Sequence, residues 1–203
     1  DRYGWMYYSR DVFDFYGPFY WDMWPSLTGA IGMTYETDCY FGILTRREDG
    51  TLCTFRGGVA KHFVSAMATI EATSARKAER VADWAKFRRE AVNEGRTALM
   101  KRVVIVPGRD PGTAAELVAT LLRSGIEVHR ALQPFTATRA HGYRDDAVGS
   151  RRFDAGAYVV DLAQPLGRAA RAVLEPSPAL DTAFARSQVG RFRRNLRRGS
   201  NVP

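Results

Sequence analysis

The sequence predicts an α/β protein in two parts, and three observations carry that prediction. The apolar run Arg102-Val103-Val104-Ile105-Val106 is followed by an amphipathic stretch over 113–123 and a further strand, Ile126-Glu127-Val128-His129-Arg130. That is the pattern of a β-α-β unit of about 30 residues. Glu48-Asp49-Gly50 reads as a hairpin turn between two short strands over 41–46 and 51–56. A helical pattern then runs from Ala60 to about Asn93, with Phe63, Met67, Ile70, Val81, Trp84 and Phe87 as its apolar positions.

Composition bounds the function classes. Of 203 residues, 45% are hydrophobic and 26% charged, which excludes intrinsic disorder and collagen-like repeats. No apolar run approaches the ~20 residues that a membrane-spanning helix needs. The net charge of +8 comes with 26 arginines and only four lysines. Such skew, beside abundant alanine, reflects codon composition as much as basic chemistry, so charge alone is a poor argument for nucleic acid.

In chain order, residues 1–28 are dense in aromatic rings, and Gly17-Pro18 and Trp24-Pro25 punctuate them. This reads as irregular backbone packed over a core or lining a cleft. Ala30 to Glu36 reads as a buried strand ending in a carboxylate. The hairpin and long helical pattern follow, with Gly95 as the helix stop. Pro107-Gly108-Arg109-Asp110-Pro111 is a turn without a phosphate-binding glycine pattern, Leu117, Leu121 and Leu122 face inward on the next helix, and Gly125 ends it. Residues 133–153 look like loop, 157–162 like a strand, 165–174 like a helix start, and 180–198 like a basic helix. The break near 95–101 divides the chain into 1–95 and 96–203. The opening without Met or leader segment, and the close just past a basic run, lead us to expect an internal piece of a longer protein. Cys39 and Cys53 do not fall opposite one another in a simple hairpin register, so two free thiols are expected.

Glu36 is the sharpest candidate for chemistry. A carboxylate closing an apolar strand beside an aromatic loop is where a general base can be held in a partly desolvated cleft, although a strand-end glutamate is commonly a plain surface residue. Arg191 to Arg198 is the strongest basic cluster, with Phe192 as a possible stacking ring. Without a nucleic-acid-binding fold, such a cluster is usually a solvated helix face.

The run Gly29-Ala30-Ile31-Gly32-Met33-Thr34-Tyr35-Glu36, preceded by Trp24-Pro25-Ser26-Leu27, resembles the C-terminal part of carboxypeptidase A-like zinc carboxypeptidases. It looks most like a bacterial branch with a tail domain. Residues 57–73, with their Ala-Met-Ala-Thr-Ile-Glu-Ala segment, resemble the family's closing helix. Tyr158-Val159-Val160, Ala163-Gln164-Pro165 and Leu174-Glu175-Pro176 resemble the branch's tail domain.

The resemblance implies a carboxypeptidase-like mixed-sheet portion over 1–95, and a small flavodoxin-like or amidotransferase-like α/β tail over 96–203. It implies that Glu36 is the general base that takes a proton from a zinc-bound water and delivers it to the leaving amine. It further implies Tyr16 as a substrate-capping tyrosine, twenty residues before Glu36, and Asp22 and Trp24 as shapers of the side-chain pocket. Zinc would be the cofactor, a peptide or related amide the substrate, and export from a bacterial cell the habit of the family.

The family binds zinc through His-x-x-Glu and a distant His. Residues three beyond His62, His129 and His141 are Ser65, Leu132 and Arg144, so none begins that pair. The ligands are therefore expected upstream of residue 1, and this chain alone is expected to be inactive. Two other classes stay open: a peptide-binding or scaffold protein that has lost its zinc ligands, and a basic nucleic-acid-binding module dependent on Arg193, Arg194, Arg197 and Arg198.

Overall fold

The computed structural model describes residue 5 and residues 20–37, 42–46, 50–176 and 182–197. The chain is mixed α/β, as the sequence predicts. It begins with a single helical turn, α1 (Met23–Leu27), and a short antiparallel hairpin of β1 (Leu44–Arg46) and β2 (Leu52–Thr54). Thr54 caps the next helix by accepting the Gly57 amide at 3.0 Å. The single long helix expected from Ala60 is two helices, α2 (Phe55–Ala75) and α3 (Lys77–Thr97), interrupted at Arg76. Of its expected inward positions, Phe63, Ile70 and Val81 are exposed, and Phe87 is half-buried.

Gly95 does not stop α3. It lies inside the helix because a side chain there would collide with the neighbouring chain: a Cβ would stand 2.1 Å from the Leu162 carbonyl oxygen. The absent side chain serves packing, and the helix continues through it.

The second part centres on a three-stranded sheet. β3 (Arg102–Ile105) leads through Asp110, which caps α4 (Pro111–Arg123) by accepting the Thr113 amide at 3.1 Å, to β4 (His129–Arg130). Gly125 ends the turn after α4 at φ +80°, a conformation open to glycine. β7 (Tyr158–Asp161) lies between β3 and β4 and is antiparallel to both. The expected β-α-β unit is thus present but split by β7. This corrects the flavodoxin-like expectation, which requires a parallel sheet. The cause is the intervening chain, which returns through a hairpin and enters the gap from the opposite direction.

That hairpin is the second correction. Residues 133–153 are β5 (Phe135–Gly142) and β6 (Asp145–Phe153), joined by the two-residue turn Tyr143-Arg144. Its base is closed by the stacked rings of Phe135 and Phe153, with centroids 5.2 Å apart. α5 (Gly167–Leu174) and α6 (Thr182–Arg197) complete the described chain.

The core sits between sheet and helices. Leu121 from α4, Ile126, Val160 from β7, Leu162, Leu166, and Ala169, Ala170 and Leu174 of α5 are buried together. Trp24 and Leu27 of α1 pack against this cluster, and Ala91 of α3 is 2% exposed. Residues on both sides of position 95 therefore contribute to one core. Gln164 is buried at its edge, where Oε1 accepts the Glu127 amide at 2.7 Å and Nε2 donates to the Glu127 and Asp161 carbonyls.

The expectation of two free thiols is overturned. Cys53 is buried and disulfide-bonded, and no described cysteine is free. Cys53 faces Thr45 across the β1–β2 ladder, so its bond leaves the hairpin instead of crossing it. Cys39, the one other cysteine in the sequence, lies outside the described residues.

Candidate functional site around Asp22, Tyr35 and Glu36

The site is built by a chain reversal after α1. The Ala30 amide donates back to the Pro25 carbonyl at 2.9 Å, and Gly29 takes φ +101° between them. A side chain at Gly29 would also press on the rings of Phe87 and Trp84. The chain then runs from residue 31 to 37 with neither helix nor ladder.

Along this segment contacts alternate with the period of two that extended backbone imposes. Even positions face α1. The Gly32 amide donates to Ser26 Oγ at 3.1 Å, and Thr34 Oγ1 donates to the Asp22 carboxylate. Ser26 Oγ in turn donates to the Asp22 carbonyl at 3.2 Å. A Cβ at Gly32 would stand 1.8 Å from that same carbonyl oxygen, so glycine is required there. Odd positions face α2. Ile31, Met33 and Tyr35 line an open cleft of about 300 Å³ with Ala68, Thr69, Ala72, Thr73, Arg76 and Arg80. Tyr35 Oη and Thr69 Oγ1 are hydrogen-bonded at 2.6 Å.

The expected buried strand over 30–36 is therefore corrected. Its faces touch two helices, but no described strand pairs with its edges, and Ile31, Met33 and Tyr35 are 59%, 45% and 46% exposed. A strand is buried by neighbouring strands that take up its amides and carbonyls. None among the described residues does so.

The predicted residues fall as follows. Glu36 is exposed at the end of the segment. Asp22 is 8% exposed, held by Thr34 through Oδ2, while its Oδ1 is buried with no hydrogen-bond partner among the described residues. Trp24 is half-buried and turned to the core cluster. Tyr16 lies outside the described residues. The structure thus joins Asp22 to the Glu36 segment through Thr34 and assigns Trp24 to packing against the core.

Sequence reasoning missed Ser26, Thr34 and Thr69, whose hydroxyls hold the segment to its two helices. The signal available was spacing: Thr34 and Gly32 share a parity opposite to Ile31, Met33 and Tyr35. Cations gather at one end of the cleft. Arg80 pairs with Asp83 at 3.0 Å and Glu79 at 3.3 Å, and Arg76 is exposed where α2 gives way to α3.

His62 lies on α2, His129 on β4 and His141 on β5, all exposed. No group of three or more His, Cys, Asp or Glu side chains that could hold a metal ion comes together among the described residues. The described residues do not make a zinc donor set by themselves. No protein family, curated protein or solved structure matches this chain.

Proposed function

We propose that this chain carries the general-base segment of a zinc-dependent metallocarboxypeptidase that hydrolyses C-terminal peptide bonds, with Glu36 as the base. The observation that carries the proposal is the segment ending at Glu36. Its sequence resembles the family's catalytic strand, its side chains alternate as a strand's do, and helices hold both its faces while its edges lack described partners. Such a segment fits a sheet strand whose neighbours are supplied elsewhere, with an exposed carboxylate at its end.

In this reading Glu36 accepts a proton from the attacking water and returns it to the leaving amine, a role in which one carboxylate typically contributes about 10²–10⁴ in rate. Ser26, Thr34 and Thr69 are positioning residues: they hold the segment that presents Glu36. The zinc donors would lie outside the described residues. The resemblance also supplies the peptide substrate and the exported location.

The test uses the full-length protein, with the 203-residue chain as control. Zinc content and release of C-terminal residues from peptides are measured for wild type and Glu36→Gln. We expect zinc to be kept and turnover to fall about 10²–10⁴-fold in the variant. Near-normal turnover would remove Glu36 from the mechanism. A wild type that binds peptide but holds no zinc and hydrolyses nothing would establish the non-catalytic peptide-binding reading instead.

A further inference from the structure

We infer that α6 is an interfacial helix that lies on an anionic lipid surface. The helix Thr182–Arg197 carries Arg186, Arg191, Arg193, Arg194 and Arg197, and no acidic residue anywhere along it. With 3.6 residues per turn, the five arginine positions occupy one arc of about 160°. The positions of Ala185, Val189, Phe192 and Leu196 follow one another at i, i+4, i+7 and i+11, inside a separate arc of about 60°. The two arcs do not overlap, with Ala183 the one apolar position inside the arginine arc and Phe184 at its border.

Arg186, Arg193 and Arg194 are exposed, with no ion-pair partner among the described residues, and Val189 is 49% exposed. α6 makes no extended contact with another element among the described residues, although Gln188 Oε1 is buried and Phe184 has a partner. A nucleic acid backbone would engage the arginine arc and leave the apolar stripe in water. An apolar protein groove would cover the stripe and leave Arg186, Arg193 and Arg194 without counter-charge. An anionic bilayer surface satisfies both at once, since headgroup phosphates meet the arginines and the acyl boundary receives the stripe. No described helix is long and apolar enough to cross a membrane, so the helix lies in the interface plane. The inference is independent of the peptidase reading.

The test is co-sedimentation of the intact chain with vesicles of phosphatidylcholine alone and of phosphatidylcholine mixed with phosphatidylglycerol, at low and high salt. We expect partitioning into the mixed vesicles only, falling as salt rises. Each basic residue near an anionic surface is worth about five-fold in partitioning, so Arg193→Glu with Arg194→Glu should lower it about 25-fold or more. Val189→Ser should lower it several-fold, with helix content by circular dichroism unchanged in both variants. Equal binding to neutral vesicles, or binding to neither, overturns the inference. So does arginine-dependent binding to a DNA duplex without binding to mixed vesicles.

Discussion

Arg168 on α5 grips Glu94 on α3 with both arms of its guanidinium: Nε donates to one carboxylate oxygen at 2.8 Å, and Nη2 donates to the other. The same guanidinium lies over the Phe87 ring, 4.2 Å from its centroid, with Glu90 at 3.8 Å. A planar fork is matched to a carboxylate in a way that a lysine ammonium is not. This pair joins α3 to α5, whose Ala169, Ala170 and Leu174 lie in the buried core.

Its worth should depend on pH in a definite direction. The Arg168 hydrogen bond, ahead of an opposing effect of burial and assisted by the charges of Arg168 and Arg171, holds the Glu94 carboxyl below its ordinary value of 4.5. A carboxylate lowered in the folded state adds stability above its unfolded value and loses it as pH falls through the folded one. Both groups are partly solvated, so Arg168→Ala should cost only about 1–2 kcal/mol at neutral pH, pair and ring contact together. The gap between wild type and Glu94→Gln should close as urea denaturation is repeated at falling pH below 4.5. A gap of constant size into strong acid would show that the pair is not its source.

The α3–α5 contact also rests on two missing side chains. Gly95 and Gly167 both close on the Leu162 carbonyl, and a Cβ on either would stand 2.1 Å from that oxygen. Backbone on one side and helix on the other leave little room to relax. Gly95→Ala should therefore destabilise by about 1–3 kcal/mol, although alanine is the better helix former. Thermal denaturation checks it, and an unchanged or higher midpoint would show that α3 can shift away from Leu162 without cost.

What was legible in the sequence divides along physical lines. The runs 102–106 and 113–123 became β3 and α4, the first as a short apolar run with Val103, Val104 and Ile105 all half-buried, the second by its helical period, although Ala114 and Val118 join Leu121 on its buried face and the expected Leu117 and Leu122 are exposed. β5 and β6 were not legible. Half-buried positions alternate with exposed ones only at the base of the hairpin, at Phe135 and Ala137 and at Arg151 and Phe153, register shifts break that alternation along β5, and the turn Tyr143-Arg144 lacks the glycine or asparagine that usually announces a two-residue hairpin. The split sheet was equally hidden, because the placement of β7 depends on pairing over 50 residues of intervening chain. At the candidate site, Glu36 stood out as the polar end of an apolar run. The hydroxyls of Ser26, Thr34 and Thr69 did not, because nothing local says which helix each will meet.

Gln164 offers a sharper test of the core's edge. Its amide satisfies the Glu127 amide and two carbonyls from a position that is 3% exposed. Leaving buried backbone groups without partners costs about 1–3 kcal/mol each. Gln164→Ala should thus destabilise by at least about 2 kcal/mol, while Gln164→Glu should recover the acceptor but not the two donations. Urea midpoints of the two variants that matched wild type would mean that water replaces the side chain at no cost.

Asp22 should behave in the opposite way. It is among the least exposed of the described charged residues, yet among those residues only Oδ2 has a partner, the Thr34 hydroxyl, and Oδ1 is buried without one. An uncompensated buried carboxylate oxygen works against folding. Asp22→Asn keeps an acceptor for Thr34 and replaces the orphaned oxygen with a neutral amide. It should raise stability by about 0.5–2 kcal/mol, read as a higher thermal midpoint. Thr34→Val, which removes the one donor, should lower it. If Asp22 also receives a substrate group in the full-length protein, Asp22→Asn will gain stability and raise KM together. A variant less stable than wild type would mean that the buried charge is balanced after all, and that Asp22 is a structural anchor for the segment leading to Glu36.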